Sequence, residues 1–163
     1  MLRLSKLTDY AVVVLIRLGD CQRAGDNCVQ TSPGIAAATG VPEPTVAKVL
    51  KALAAAAMVT SQRGARGGYR LSRTLDAITV ADVIATIDGP IALTACVDGG
   101  PGGCDVQSVC AVKGRWDRVN DAIYATLSGI TLADMRAASV PLAFRLPAHF
   151  VAPAVAAPVA AAE

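Results

Sequence analysis

Aromatic residues make up only 4% of the 163-residue chain, and there is one histidine, His149. The first scarcity excludes a stacking platform for single-stranded nucleic acid, which presents several rings to the bases. The second removes the commonest general base. No nucleophile–base pair, phosphate-cradling glycine loop or pair of catalytic carboxylates can be assembled, so the sequence does not read as an enzyme. Long hydrophobic runs are missing too. Hydrophobic residues reach 53%, but 32 of them are alanine, and no stretch approaches the about 18 to 20 consecutive apolar residues of a bilayer-spanning helix. Residues 1–9 lack the apolar core and small-residue cleavage site of a secretory signal. A soluble protein of the reducing cytoplasm is expected, with no membrane partner and no small-molecule substrate.

What is present is an asymmetry. The net charge of +2 divides into +6 over residues 1–75 and −4 over residues 76–163. A basic half joined to an acidic half places a polyanion on the first. That half has the punctuation of a winged helix-turn-helix. Tyr10, Val13, Val14 and Leu18 form an apolar stripe at helical spacing, which predicts a helix over 8–18 with Gly19 as its stop. Thr31-Ser32-Pro33 opens a second helix that Gly40 closes. After Pro42-Glu43-Pro44, the apolar positions Val46, Val49, Leu50 and Leu53 predict a third helix that turns Thr45, Lys48 and Lys51 to another face. Strands over 59–63 and 69–72 flank Gly64-Ala65-Arg66-Gly67-Gly68, a hairpin turn rich in glycine. Such an arrangement puts the early residues of the third helix at base edges in the major groove and flanking cations on phosphates. The candidate DNA-binding set is Thr45, Lys48, Lys51, Arg63, Arg66 and Tyr69, with Arg70 and Arg73 beside it.

The acidic half opens with Thr79 and Asp82, a capping box for a helix that Gly89-Pro90 closes. A helix carrying Trp116, Val119, Ile123 and Leu127 reads as a packing or dimerisation helix, and Thr131 starts a last short one. Beyond Pro141 the Ala/Pro-rich sequence has almost no charge and cannot build a core, so a disordered tail is expected. The predicted fold is mainly α with a small β-hairpin, a winged helix-turn-helix with a long C-terminal dimerisation helix. Its expected divisions are a DNA-binding domain over 1–75, a cysteine loop and dimerisation helix over 76–140, and a tail over 141–163.

Five cysteines in a reducing compartment point to metal ligation, redox chemistry or small buried hydrophobes rather than to a disulfide framework. Cys21 and Cys28 read as the last of these. Cys96, Cys104 and Cys110 instead share one glycine-rich loop, which can fold three thiolates onto a single point. Structural zinc prefers four Cys/His ligands, and His149 lies in the tail. An iron–sulfur cluster, 2Fe-2S or 4Fe-4S, suits three thiolates and one oxygen ligand better.

Together these features resemble the IscR, NsrR and RirA group of winged-helix iron–sulfur regulators, the Rrf-two superfamily. The resemblance runs over about residues 2–135 and is carried by Leu4 to Ala11, by Arg63-Gly64-Ala65-Arg66-Gly67-Gly68-Tyr69-Arg70-Leu71, and by the three cysteines. Asp88-Gly89-Pro90-Ile91-Ala92-Leu93-Thr94-Ala95-Cys96, with Trp116 six residues after Cys110, most resembles the branch that regulates SUF iron–sulfur assembly operons. It implies a homodimeric regulator, repressing at a pseudo-palindromic site in double-stranded DNA, with Cys96, Cys104 and Cys110 as cluster ligands. IscR-like members place a histidine where this chain has Lys113, which cannot ligate while protonated. NsrR-like members use an aspartate of the first helix, reaching across from the partner subunit. Asp9 occupies that position here, so the resemblance implies Asp9 as fourth ligand, with Asp98 and Asp105 as alternatives. Zinc or thiol redox chemistry at the triad, and an iron–sulfur carrier without DNA binding, are the competing readings.

Overall fold

The computed structural model describes residues 4–25, 28–64, 67–95, 97, 110–112 and 114–137. Helix α1 spans Lys6–Ala24 and is capped by Ser5, whose hydroxyl accepts the Thr8 backbone N–H at 3.2 Å. It passes through Gly19, where the sequence places a stop. The reason is tertiary: a Cβ on Gly19 would sit 2.6 Å from Leu75 Cγ, so the glycine lets Leu75 approach the helix backbone. Burial of Leu18 and Cys21 on the same helix then supports the extra turns.

Helix α2 (Ser32–Thr39) starts where Thr31 Oγ1 accepts the Gly34 N–H, and it stops at Gly40, whose φ of 73° is the left-handed cap. Helix α3 (Glu43–Ala55) buries Val46, Val49, Leu50 and Leu53, the four positions read from its spacing. Strands β1 (Val59–Gln62) and β2 (Gly68–Leu71) pair antiparallel, with Val59 opposite Leu71 and both side chains directed into the core. These limits fall within one residue of the sequence expectation. A short 3-10 turn at Leu75–Ala77 leads into α4 (Val80–Ile87), which carries the Thr79–Asp82 capping box with both reciprocal hydrogen bonds present.

Helix α5 (Asp117–Ser128) carries Val119, Ile123 and Leu127 as expected, but with 12 residues it is shorter than α1 and α3 rather than long, Trp116 precedes it as the N-cap residue, and α6 (Leu132–Ala137) follows it at once. The return is tied to the strand-like segment before α4 by the Val80 N–H to Ile130 O bond (2.9 Å) and the Leu132 N–H to Ile78 O bond (2.9 Å). Ile78, Val83 and Leu132 therefore join Val14, Leu15, Ile35, Leu50 and Leu53 in one core that crosses residue 75. No helix among the described residues is long and apolar enough to cross a membrane. The tail over 141–163 lies outside the described residues.

Candidate nucleic-acid interface and cysteine loop

Helices α2 and α3 pack together around the Gly40–Val41 turn, with Ile35 and Val46 fully buried between the helices and the rest of the core. Because the apolar stripe of α3 is committed inward, its other face is fixed outward. Lys48 and Lys51 are exposed on that face and Thr45 is half-buried in its first turn. The one ion pair among the described residues is Arg136 with Asp20 at 3.9 Å, so neither lysine is neutralised by an acidic neighbour.

The wing adds cations alongside. Arg63 and Arg70 are exposed, while Arg66 falls outside the described residues. Arg73 is exposed as well, and its guanidinium donates to the Ala77 carbonyl at 3.3 Å. Tyr69 is half-buried against the core, and its backbone pairs on both sides, with Ser61 in β1 and with Gln30. It thus builds the root of the wing. Gly68 permits that close approach: its φ is 157°, and a Cβ there would lie 2.6 Å from the Gln30 carbonyl oxygen.

The start of α1 is joined to the start of the cysteine loop. Asp88 closes α4 and, through Oδ2, accepts the Thr8 hydroxyl at 2.7 Å and the Ser5 N–H at 3.2 Å. Partial burial pushes the Asp88 carboxyl up, but hydrogen bonds from the Ser5 and Thr8 side chains and the Ser5 backbone outweigh it and hold the carboxyl below its ordinary value. Five residues on, the Leu93 N–H donates to Oδ1 of buried Asn120 in α5 at 3.1 Å, and Val97 is buried. An apolar cavity of about 590 Å³ opens beside these contacts, between Leu4, Ile84, Ile91, Leu93 and Leu127. Asp88 opens the stretch that carries the sequence resemblance, but nothing in the sequence marks its partners Ser5 and Thr8, and Asn120 belongs to no motif; these contacts span 27 to 83 residues.

Of the expected metal ligands, Cys110 is half-buried and free, while Cys96 and Cys104 lie outside the described residues, as do the alternatives Asp98 and Asp105. Asp9 is exposed in the first turn of α1, at the rim of a second cavity lined by Leu4, Val12, Val80 and Met135. Among the described residues no three Cys, His, Asp or Glu side chains converge within one chain.

Cys21 and Cys28 correct the sequence reading. They are not two separate small hydrophobes but a disulfide, with Cα atoms 5.5 Å apart. The last turn of α1 and the Gly25 turn bring them together, the Cys28 N–H donating to the Gly25 carbonyl at 3.1 Å. A seven-residue separation carrying Gly25 was the available signal.

Comparison with known proteins agrees with this geometry. Residues 4–138 match the Rrf2 family, described as iron-dependent transcriptional regulators. Protein aau3 of Rhizobium meliloti is 32% identical over 145 residues, covering 89% of this chain and 92% of that protein. Among solved structures, CymR (YrzC), the global cysteine regulator of B. subtilis, is similar with a TM-score of 0.65 at 28% identity, covering 86% of this chain and 100% of that one. IscR of T. potens is similar with a TM-score of 0.60 at 29% identity, covering 82% and 85%.

Proposed function

The chain belongs to the Rrf2 family of winged-helix transcriptional regulators, and from that premise we propose that it senses iron or redox state through an iron–sulfur cluster held by Cys96, Cys104 and Cys110. The observation that carries this reading is the distribution of sulfur. Cys21 and Cys28 are taken by each other and Cys110 is free, so the three cysteines outside the disulfide all fall within residues 96–110 of the sequence. Three soft thiolate donors with no histidine nearby fit an iron–sulfur cluster better than structural zinc. When bound, the cluster supplies a group whose charge and ligation change with oxidation or loss.

The residues of this chain do the rest. The near end of the loop is tied to α5 by Leu93 and Asn120, and to the first turn of α1 by Asp88 with Ser5 and Thr8. A change in the loop is thereby felt at α1, which packs on α3 and on β2. Asp9 is the fourth ligand, contributed to the partner subunit's loop. The homodimer pairs through α5 and its N-cap residue Trp116, where Trp116, Val119 and Tyr124 are 41%, 44% and 53% exposed. Two such subunits match a pseudo-palindromic site in duplex DNA. Thr45, Lys48 and Lys51 read the major groove, and Arg63 and Arg66, on a wing rooted by Tyr69, hold phosphates. The targets are iron–sulfur assembly or iron homeostasis genes, repressed as in the SUF-regulating branch.

The same three cysteines support one other signal, thiol redox chemistry without a cluster, with DNA binding unchanged. Visible absorption with iron and acid-labile sulfide content decides between them. Protein purified without oxygen is expected to be coloured, with stoichiometric iron and sulfide that Cys104→Ala removes and Asp9→Ala diminishes. Colourless, iron-free protein that resists reconstitution would overturn the cluster. Full cluster content and stability in Asp9→Ala would overturn the fourth ligand.

A further inference from the structure

The Cys21–Cys28 disulfide lies apart from the cysteine loop and beside the wing. Cys21, 6% exposed, is in the last turn of α1, and Cys28 is half-buried in the connection to α2. Two residues after Cys28, Gln30 exchanges two backbone hydrogen bonds with Tyr69: its N–H donates to the Tyr69 carbonyl at 3.0 Å, and the Tyr69 N–H donates to its carbonyl at 2.8 Å. The intervening Val29 touches the same strand, its Cγ1 lying 2.8 Å from where a Cβ on Gly68 would stand. The short stretch 28–30 therefore meets the root of β2 through one isolated antiparallel bridge, Gln30 with Tyr69. The disulfide fastens that stretch to α1, and the hairpin it supports carries Arg63, Arg66 and Arg70.

We propose that Cys21 and Cys28 form a second redox centre, separate from the cysteine triad, whose dithiol–disulfide interconversion sets the position of the wing and with it the affinity for DNA. This rests on the DNA-binding reading above. The oxidant is a low-molecular-weight disulfide. The Cys28 thiolate, the more accessible of the two, attacks one of its sulfurs, so that the S–S bond breaks and one thiolate leaves. The Cys21 thiolate then attacks Cys28 Sγ in the mixed disulfide, forming the Cys21–Cys28 bond and expelling the second thiolate. The two protons lost by the cysteines go to the two released thiolates. The protein dithiol is oxidised by two electrons and the small disulfide is reduced to two thiols; excess thiol runs the sequence backwards. With the link open, stretch 28–30 is held to β2 by the Gln30–Tyr69 pair alone, and the wing gains freedom that DNA binding must remove.

The test equilibrates the full-length, anaerobically purified protein with reduced and oxidised glutathione in varied ratio. Alkylation with mass spectrometry reports the state of each cysteine, while fluorescence anisotropy reports affinity for a labelled duplex. Expected is a paired loss of alkylation at Cys21 and Cys28 as the buffer becomes oxidising, with DNA affinity rising threefold or more over the same range. Cys28→Ser, at the more exposed position, should hold affinity at the reduced value throughout, and Cys21→Ala should do the same. Cysteines that alkylate independently of each other, or equal affinity at both ends of the range, would overturn the switch. So would a response that persists in Cys28→Ser, because the triad would then be its source. Absence of DNA binding in every state would overturn the DNA-binding reading and the switch with it, a result distinct from two states that bind alike.

Discussion

Thr8 and Asp88 are 80 residues apart in sequence and joined by a 2.7 Å hydrogen bond from the Thr8 hydroxyl to Asp88 Oδ2. Thr8 is 1% exposed in the first turn of α1, and Asp88 ends α4 just before the glycine–proline pair that leads to the cysteine loop. One carboxylate thus connects the helix that supports the DNA-binding elements to the segment that carries the thiols.

That connection has a pH signature. The folded-state pKa of Asp88 is lowered, so its charged form contributes stability at and above the ordinary value of 3.8 and loses it as pH falls through the folded value. Because the carboxylate is largely exposed, solvent screening keeps the effect small. Asp88→Asn should be less stable than wild type in urea unfolding at pH 7, and the gap should narrow below pH 3.8. A gap that widens on acidification would contradict the contact.

Gly19 gives a second prediction. Alanine there gains about 1 kcal/mol of helix propensity but places its Cβ 2.6 Å from Leu75 Cγ. Overpacking of this kind costs about 1–3 kcal/mol, so Gly19→Ala should lower the urea midpoint. An unchanged or raised midpoint would mean that Leu75 moves aside freely.

Val119 tests the dimer. It is 44% exposed on α5 between Trp116 and Tyr124, and a carboxylate buried there against a partner would be strongly unfavourable. Val119→Asp should sediment as a folded monomer under conditions where wild type is a dimer. A dimeric variant would place the interface elsewhere.

The interface charges should appear in the salt dependence of DNA binding. Each phosphate contact removed reduces the slope of log affinity against log salt by about 1. Arg66→Ala and Lys51→Ala should each weaken binding and flatten this slope. An unchanged slope in Arg66→Ala would count against the wing.

The elements that sequence reasoning located are those governed by local rules. The Thr31 and Gly40 caps, the Thr79–Asp82 box and the inward stripe of α3 depend on residues within a turn or two of one another, and each stands where its spacing places it. Gly19 was misread because its meaning is set by Leu75, 56 residues on. The Cys21–Cys28 bond is hidden from sequence for a different reason: a reducing compartment argues against disulfides in general, while this pair is joined by a short local turn at Gly25. In the site, the outward faces of Lys48, Lys51 and Arg63 were legible because the apolar pattern leaves them nowhere else to go. The Asp88 and Asn120 contacts were not, because long-range hydrogen bonds leave no periodicity.

In the proposed function one protein both binds DNA and reports the state of its cysteine loop through that binding. This is tested most directly by anisotropy titration of a duplex selected from genomic fragments, with cluster-loaded and cluster-free protein compared across a range of salt. Steeply salt-dependent binding in at least one state, and a tenfold or greater difference in affinity between the two, are expected. Binding no stronger than background in both states, or equal affinity in both, would contradict it.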